Sequence, residues 1–319
     1  MKYRHLTENE RYQIQALKAE GLGPTAIGKH IGRCKSVISR ELGRNRHPRG
    51  YQAKQAHERY RKGLQDKGRA HQIWGIVFEE LGVPLLAEGW SPEQISGVFR
   101  NTEYAVSHEW LYQKIRKDQR SGGGIFRHLR CQKKRRKRYG APVHSGPIPN
   151  RRSISERPME VEDRLRVGDW EADTIIGTAH QGVVISLVER KTGYTKLRRV
   201  LSKEAHVVAG AINDMLAPYE EHVLTITFDN GGEFALHEHI AKTLKADCFF
   251  ADPYSSWQRG SNENTNGLVR QYFPKGQTNF KDVSDAAIAK VEDKLNNRPR
   301  KRLLFKSPSQ VFREAMSMN

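Results

Sequence analysis

Three carboxylates stand where the surrounding residues give them little reason to be. Asp173 interrupts the β-rich stretch VGDWEADTIIG, Asp229 ends HVLTITFDN just ahead of two glycines, and Glu263 is the single acid in QRGSNENTNGLVRQYFPKG, among side-chain amides and arginines. Aspartate disfavours strands, and an acid buried in one needs a partner. Three acids brought to one place repel one another unless a divalent cation neutralises them, and all-oxygen ligation suits magnesium or manganese. The chemistry open to such a centre is phosphoryl transfer.

Each acid also has an ordinary reading. Asp229 before Asn-Gly-Gly is a common turn former. Asp169 and Glu171 alternate with Asp173 on one strand face and compete with it for the functional role. On a helix, Glu263 would share its face with Arg259, Asn266 and Arg270, at i−4, i+3 and i+7, which sets one acid among phosphate donors.

The elements that must position these residues begin after Arg166. VGDWEADTIIG, GVVISLVER and GYTKLRRVL read as strands, KEAHVVAGAINDMLAPY as a helix, HVLTITFDN as a buried strand, ALHEHIAKTLK as a helix and ADCFFADPY as a last strand. This order predicts an α/β catalytic domain over residues 161–319, a ribonuclease H-like mixed sheet flanked by helices. If the first and fourth strands are neighbours, Asp173 and Asp229 meet at one end of the sheet. A helix begun near Gln258 then brings Glu263 beside them.

Charge assigns the rest of the chain a different task. The 319 residues carry 55 Lys and Arg against 36 Asp and Glu, a formal net charge of +19. Residues 1–150 hold 30 basic and 13 acidic side chains, whereas residues 151–319 hold 25 and 23. A polyanion is the expected partner, bound mainly by the first half. There the pattern is all-α. Residues 1–50 read as a helix-turn-helix domain: Thr7 and Glu10 form a capping box, Ile14 and Leu17, Ile27 and Ile31, and Ile38 and Leu42 supply the apolar faces, and IGRCK makes the turn. Lys35, Ser36, Ser39 and Arg40 then face outward from the third helix as DNA-contacting residues.

Residues 51–89 read as a basic helical linker, and residues 90–120 as a second helix-turn-helix-like module, with Ser91 and Ser107 as caps. Glu93, Glu103 and Glu109 make this copy less attractive to phosphate, so a protein contact competes with DNA as its role. Residues 121–160 form a basic flexible linker with eight Lys or Arg between Arg127 and Arg138, suited to non-specific DNA contact. Cys34, Cys131 and Cys248 make no paired spacing, and no stretch is apolar enough for a signal peptide or a membrane span. The expectation is a cytoplasmic, nucleoid-associated protein with no membrane partner.

At this point the chain resembles a known family, the bacterial transposases of insertion sequence thirty, which carry an Asp, Asp, Glu triad. The resemblance rests on TAIGKHIGRCKSVISREL, WSPEQISG with VSHEWLY, GDWEADTIIG, LVERKTGY, TFDNGGEF, DPYSSWQRGSNENTNGLVRQYFPKG and LNNRPRK, in order over nearly the whole chain. As in similar proteins, 33 residues separate the second aspartate from the glutamate. The resemblance implies a DDE transposase in which Asp173, Asp229 and Glu263 hold two magnesium ions, with manganese able to substitute. It also implies double-stranded DNA partners, the element's terminal inverted repeats and the target, and DNA strand cleavage followed by strand transfer. At least two protomers on DNA would serve two ends. Cys34-Lys35, where relatives often have Ser-Pro, and Trp110, where a small polar residue is common, bear on DNA preference and leave the chemistry untouched. Two alternatives stay open: a DNA-binding regulator with an inactive catalytic domain, and a metal-dependent nuclease on the same fold.

Overall fold

In the computed structural model of the chain, residues 5–130, 148–178, 181–253 and 255–317 are described, with backbone alone at 66–73, 76 and 256. The chain forms two compact units, Met1–Phe78 with Glu103–Val106, and Glu79–Thr102 with Ser107–Asn319.

The first unit is helical. α1 (Glu8–Ala19) opens on a reciprocal cap in which Thr7 Oγ1 accepts from the Glu10 amide at 3.2 Å and Glu10 Oε2 accepts from the Thr7 amide at 2.6 Å. α2 (Pro24–His30) and α3 (Lys35–Arg44) follow short turns. Leu6, Ile14, Ile27 and Ile38 bury together, so each of the three helices contributes one central apolar side chain. α4 (Ala53–Val77) packs against α1. Residues 51–89, expected as one linker, therefore divide between the two units at Phe78. Apolar periodicity gives no sign of the buried ion pair that ties α1 to α3, Arg11 Nε to Glu41 Oε1 at 2.7 Å, to which Tyr51 adds a hydroxyl bond of 3.1 Å.

The second unit contains α5 (Val83–Ala87), α6 (Pro92–Val98), α7 (His108–Arg120), α8 (Met159–Glu162) and one five-stranded sheet. Its strands are β1 (Asp169–Ile176), β2 (Val183–Glu189), β3 (Thr195–Val200), β4 (Thr225–Phe228) and β5 (Asp247–Phe250), in the order β3-β2-β1-β4-β5. β1, β2 and β3 pair antiparallel, while β1–β4 and β4–β5 are parallel and need helical crossovers. α9 (Ala205–Leu216) and α10 (His237–Leu244) supply them. α11 (Gly260–Tyr272), α12 (Asp285–Asn297) and α13 (Pro308–Met316) complete the chain. This is the ribonuclease H-like arrangement of a mixed sheet between helices.

Strand alternation sorts the core into two layers. Trp170, Ala172, Ile185 and Leu187 pack with Val208, Ile212 and Ile240 from α9 and α10, and Phe312 of α13 closes that layer. Ile175 and Val184 face the other way, against Leu268 and Val269 of α11 and Ile288, Val291 and Leu295 of α12.

Residues 90–120, expected as a module of their own, belong for the most part to the unit that carries the sheet. Gln94 Nε2 donates to the Pro299 carbonyl at 2.5 Å, and Glu93 and Glu88 pair with Lys301 at 2.7 Å and Lys294 at 3.0 Å. A methyl group on Gly97 would lie 2.2 Å from the Phe305 ring, so the glycine lets α6 close onto that side chain. Glu93 of this segment, and Glu88 just before it, thus meet lysines of the same unit. Most of the basic run between Arg127 and Arg138 lies outside the described residues. Among the described residues no helix is long and apolar enough to cross a membrane.

Candidate active site

The parallel register of β1 and β4 begins at Asp169 beside Thr225 and reaches Glu171 beside Thr227. Continued by two residues, it sets Asp173 level with Asp229, which directly follows β4. On β1, residues 169, 171, 173 and 175 share the face covered by α11. The three acids on that face have separate surroundings. Asp169 accepts from Thr225 Oγ1 at 2.8 Å and pairs with Arg166 at 3.1 Å. Glu171 is fully buried, paired with the buried Arg190, and accepts from the Asn262 amide at 2.9 Å. Both are tied into the scaffold, and Asp173 alone of the three shares an ion-pair partner, Arg259, with Asp229.

Asp173 is held on all sides. Its Oδ1 accepts from the Thr174 amide at 2.8 Å, and its Oδ2 accepts from Asn266 Nδ2 at 2.8 Å. Asn266 is itself oriented by Ser186, whose hydroxyl donates to Asn266 Oδ1 at 2.9 Å and whose backbone pairs with Asp173 across the sheet. Asp229 Oδ1 accepts from the Gly231 amide at 2.8 Å. A methyl on Gly231 would stand 2.3 Å from Glu233 Oε2 and 2.8 Å from Asp229 Oδ1, so a side chain here would displace the ends of two carboxylates. Glu233 accepts from Thr174 Oγ1 and pairs with Lys203, each at 2.8 Å.

Arg259 joins the two aspartates. Its Nη1 lies 3.3 Å from Asp173 Oδ2 and its Nη2 3.4 Å from Asp229 Oδ2, with the side chain 9% exposed. Burial pushes the Asp173 carboxyl up to about 6; Arg259 pulls against this, and the charge on Asp229 pushes with it. A positive group thus stands between two carboxylate oxygens, ligand atoms of the kind that hard divalent cations take.

Glu263 lies in the first turn of α11, one turn beyond Arg259, and is exposed. Among the described residues no side chain hydrogen-bonds or ion-pairs with it, and no group of three or more His, Cys, Asp or Glu is gathered closely enough to hold a metal ion. The fold therefore brings together Asp173, Asp229, Arg259 and Asn266, and leaves Glu263 at the edge of that cluster. Arg270, expected beside them as a phosphate donor, does not join it. Its guanidinium donates to the Ile176 carbonyl at 2.7 Å and the Phe273 carbonyl at 3.4 Å, and lies 5.8 Å from the Phe280 ring centre. It anchors α11 to the end of β1.

On α3, Lys35, Ser36, Ser39 and Arg40 are exposed opposite the buried Ile38. Arg40 Nε donates to the Ser36 carbonyl at 3.0 Å, which folds its stem along the helix. Sequence reasoning missed Ser186 and Gly231. Ser186 left no signal before the register was known, while Gly231 stood in plain view in the Asp-Asn-Gly-Gly turn.

The helix-turn-helix domain family matches residues 2–45. Over 99% of its length the chain is 40% identical to the transposase for insertion sequence element IS4351 of Bacteroides fragilis, 98% of which is covered. It is 34% identical to transposase InsI for element IS30C of Escherichia coli strain K12, with 98% of this chain and 85% of that one covered. Among solved structures, the catalytic core domain of BIV integrase is similar at 21% identity and a TM-score of 0.39, covering 47% of this chain and 97% of the core.

Proposed function

The chain belongs to the IS30 family of insertion-sequence transposases, and from that membership we propose that it binds the terminal inverted repeats of its element and cuts and rejoins DNA at Asp173, Asp229 and Glu263. The observation that carries the site assignment is the pairing of Asp173 and Asp229 across one buried guanidinium at the end of the sheet, with Glu263 one helical turn away.

The acids would hold magnesium as a pair of ions, with manganese able to substitute. When bound, magnesium supplies charge neutralisation at the transferring phosphoryl group and lowers the pKa of the attacking oxygen. The chain's own residues prepare the site. Thr174 and Asn266 fix both oxygens of Asp173, Gly231 fixes one oxygen of Asp229, and Arg259 holds the two acids together against their repulsion. The reaction is in-line attack at phosphorus, by water to free the element's 3′ end and then by that 3′-hydroxyl on target DNA. The exposed face of α3, with Lys35, Ser36, Ser39 and Arg40, reads the terminal repeats in the major groove. Two element ends require two active sites, so the working form is a homo-oligomer on DNA.

Glu263→Gln tests the reading, because it keeps size and hydrogen bonding and removes the charge. Formation of 3′ ends on a labelled terminal-repeat duplex with magnesium should fall by orders of magnitude, while a gel shift on the same duplex is unchanged. Near-normal cleavage by this variant would remove Glu263 from the site, and a regulator without activity is identified if the unaltered protein binds the duplex and never cuts it.

A further inference from the structure

The motif LNNRPRK, at the end of α12, has no place in the site described above. Arg298 and Arg300 alternate about Pro299, and Arg302 follows in the next turn. Arg298 is 3% exposed; its Nη2 donates to Tyr272 Oη at 2.6 Å and its Nη1 to Gln271 Oε1 at 3.3 Å, while its buried Nε has no partner among the described residues. Arg300 Nη2 donates to the Leu295 carbonyl at 3.0 Å. Burial lowers its pKa to about 10, with Arg298, Arg302 and Arg130 adding to the effect in that order. Arg130 approaches from another segment, with its Nη2 3.7 Å from the position a methyl on Gly267 would take.

Among the described residues, no carboxylate lies within 4 Å of the guanidinium of Arg130, Arg298, Arg300 or Arg302. Elsewhere in the same unit the buried Arg190 and Arg259 are each neutralised by acids. Cations gathered in partly buried surroundings without a counter-ion oppose folding, unless a ligand supplies the negative charge. The placement indicates which ligand. Glu263, Gly267 and Gln271 succeed one another at i, i+4 and i+8 along one face of α11, so Arg130 stands one turn from Glu263 and Arg298 two turns away. Eight residues of helix span about 12 Å. One strand of duplex DNA advances about 3.4 Å per phosphate, so that distance corresponds to roughly three or four nucleotides.

We propose that Arg300 and Arg130, backed by Arg298, form an anion site for the phosphodiester oxygens of a DNA strand about three or four nucleotides from the bond placed at the carboxylates. The position along the strand rests on the active-site reading above; the anion site itself does not. Arg298 is a positioning residue, because Tyr272 and Gln271 hold its buried guanidinium in place.

The test uses the full chain and a short random-sequence duplex, and measures affinity over a series of salt concentrations. Arg130→Gln, at an exposed position, and Arg300→Gln should each lower the steepness of log affinity against log salt by about 0.9, the change expected when one phosphate is no longer neutralised. Arg300→Lys should keep the steepness of the unaltered protein. Thermal melting of each variant reports its folding, and Arg130→Gln, being at the surface, serves if Arg300→Gln fails to fold. Unchanged steepness in Arg130→Gln, or in a folded Arg300→Gln, overturns the proposal. No cleavage step enters the measurement, so a chain that does not cut DNA would defeat the active-site reading and leave this result to stand or fall alone.

Discussion

Arg259 Nη1 stands 3.3 Å from Asp173 Oδ2, and the same guanidinium reaches Asp229 Oδ2 at 3.4 Å, so one buried cation holds two acids that would otherwise repel. Removing it leaves Asp173 with a charge that burial already disfavours. In the absence of divalent ions, Arg259→Ala should destabilise the second unit by roughly 1–3 kcal/mol, less than a fully buried pair because Asp229 is 34% exposed. Denaturant titration in a chelating buffer measures this. Manganese should then restore more stability to the variant than it adds to the unaltered protein, and equal gains would show that the guanidinium and the ion do not share a position.

Asp173→Asn and Asp229→Asn should each lower strand cleavage by orders of magnitude, and the double substitution should cost little more than either alone, since the acids act as one unit. Terminal-repeat binding should remain, because the exposed face of α3 lies in the other compact unit. Multiplicative losses in the double variant would separate their roles.

Arg40 lies on the exposed face of α3, opposite Ile38. Arg40→Ala should cost roughly 1–3 kcal/mol of discrimination between a terminal-repeat duplex and a random one, the value of a base-edge contact. A gel shift on both duplexes reads the ratio. Equal weakening on the two would assign Arg40 to phosphate alone.

The contact between α6 and the loop before α13 depends on Gly97, where a methyl would meet the Phe305 ring at 2.2 Å. Gly97→Ala should destabilise the second unit by about 1–3 kcal/mol through overpacking. Combined with Phe305→Leu, whose smaller side chain makes room, part of that loss should return, and the coupling is read from a double-mutant cycle of denaturant midpoints.

Acid should loosen the first unit at α1. Burial raises the pKa of Glu10, but hydrogen bonds from Arg33 and from Thr7 outweigh it and hold the carboxyl below its ordinary value of 4.5. A lowered folded-state pKa stabilises above the unfolded value, and that stability is lost as pH falls through it. Amide-exchange protection in α1 should therefore decline as pH drops below about 4.5, after correction for intrinsic exchange rates, and Glu10→Gln should flatten the decline.

The elements themselves were legible in the sequence because each is set by neighbours a few residues away. Thr7 with Glu10 and Ser91 with Gln94 announce helix starts, and the β-branched and apolar residues of VVISLVE and VLTITF announce the strands β2 and β4. The Asp173–Asp229 meeting was legible only on the condition that β1 and β4 are neighbours. That condition was decided by the tertiary structure, in which a parallel register sets residues 56 positions apart side by side.

Partners of charged side chains were decided there too. Asp169, Glu171 and Asp173 share one face by strand geometry, yet Thr225 and Arg166 take the first, Arg190 the second and Arg259 the third. The helix spacing of Arg259, Asn266 and Arg270 about Glu263 was read correctly as spacing and could not tell inward from outward. In the structure Arg259 and Asn266 turn to Asp173, Arg270 caps the main chain of β1, and Glu263 stays in solvent. Periodicity fixes which residues share a face, whereas the charge that a side chain meets depends on what the sheet register and helix docking bring from elsewhere in the chain.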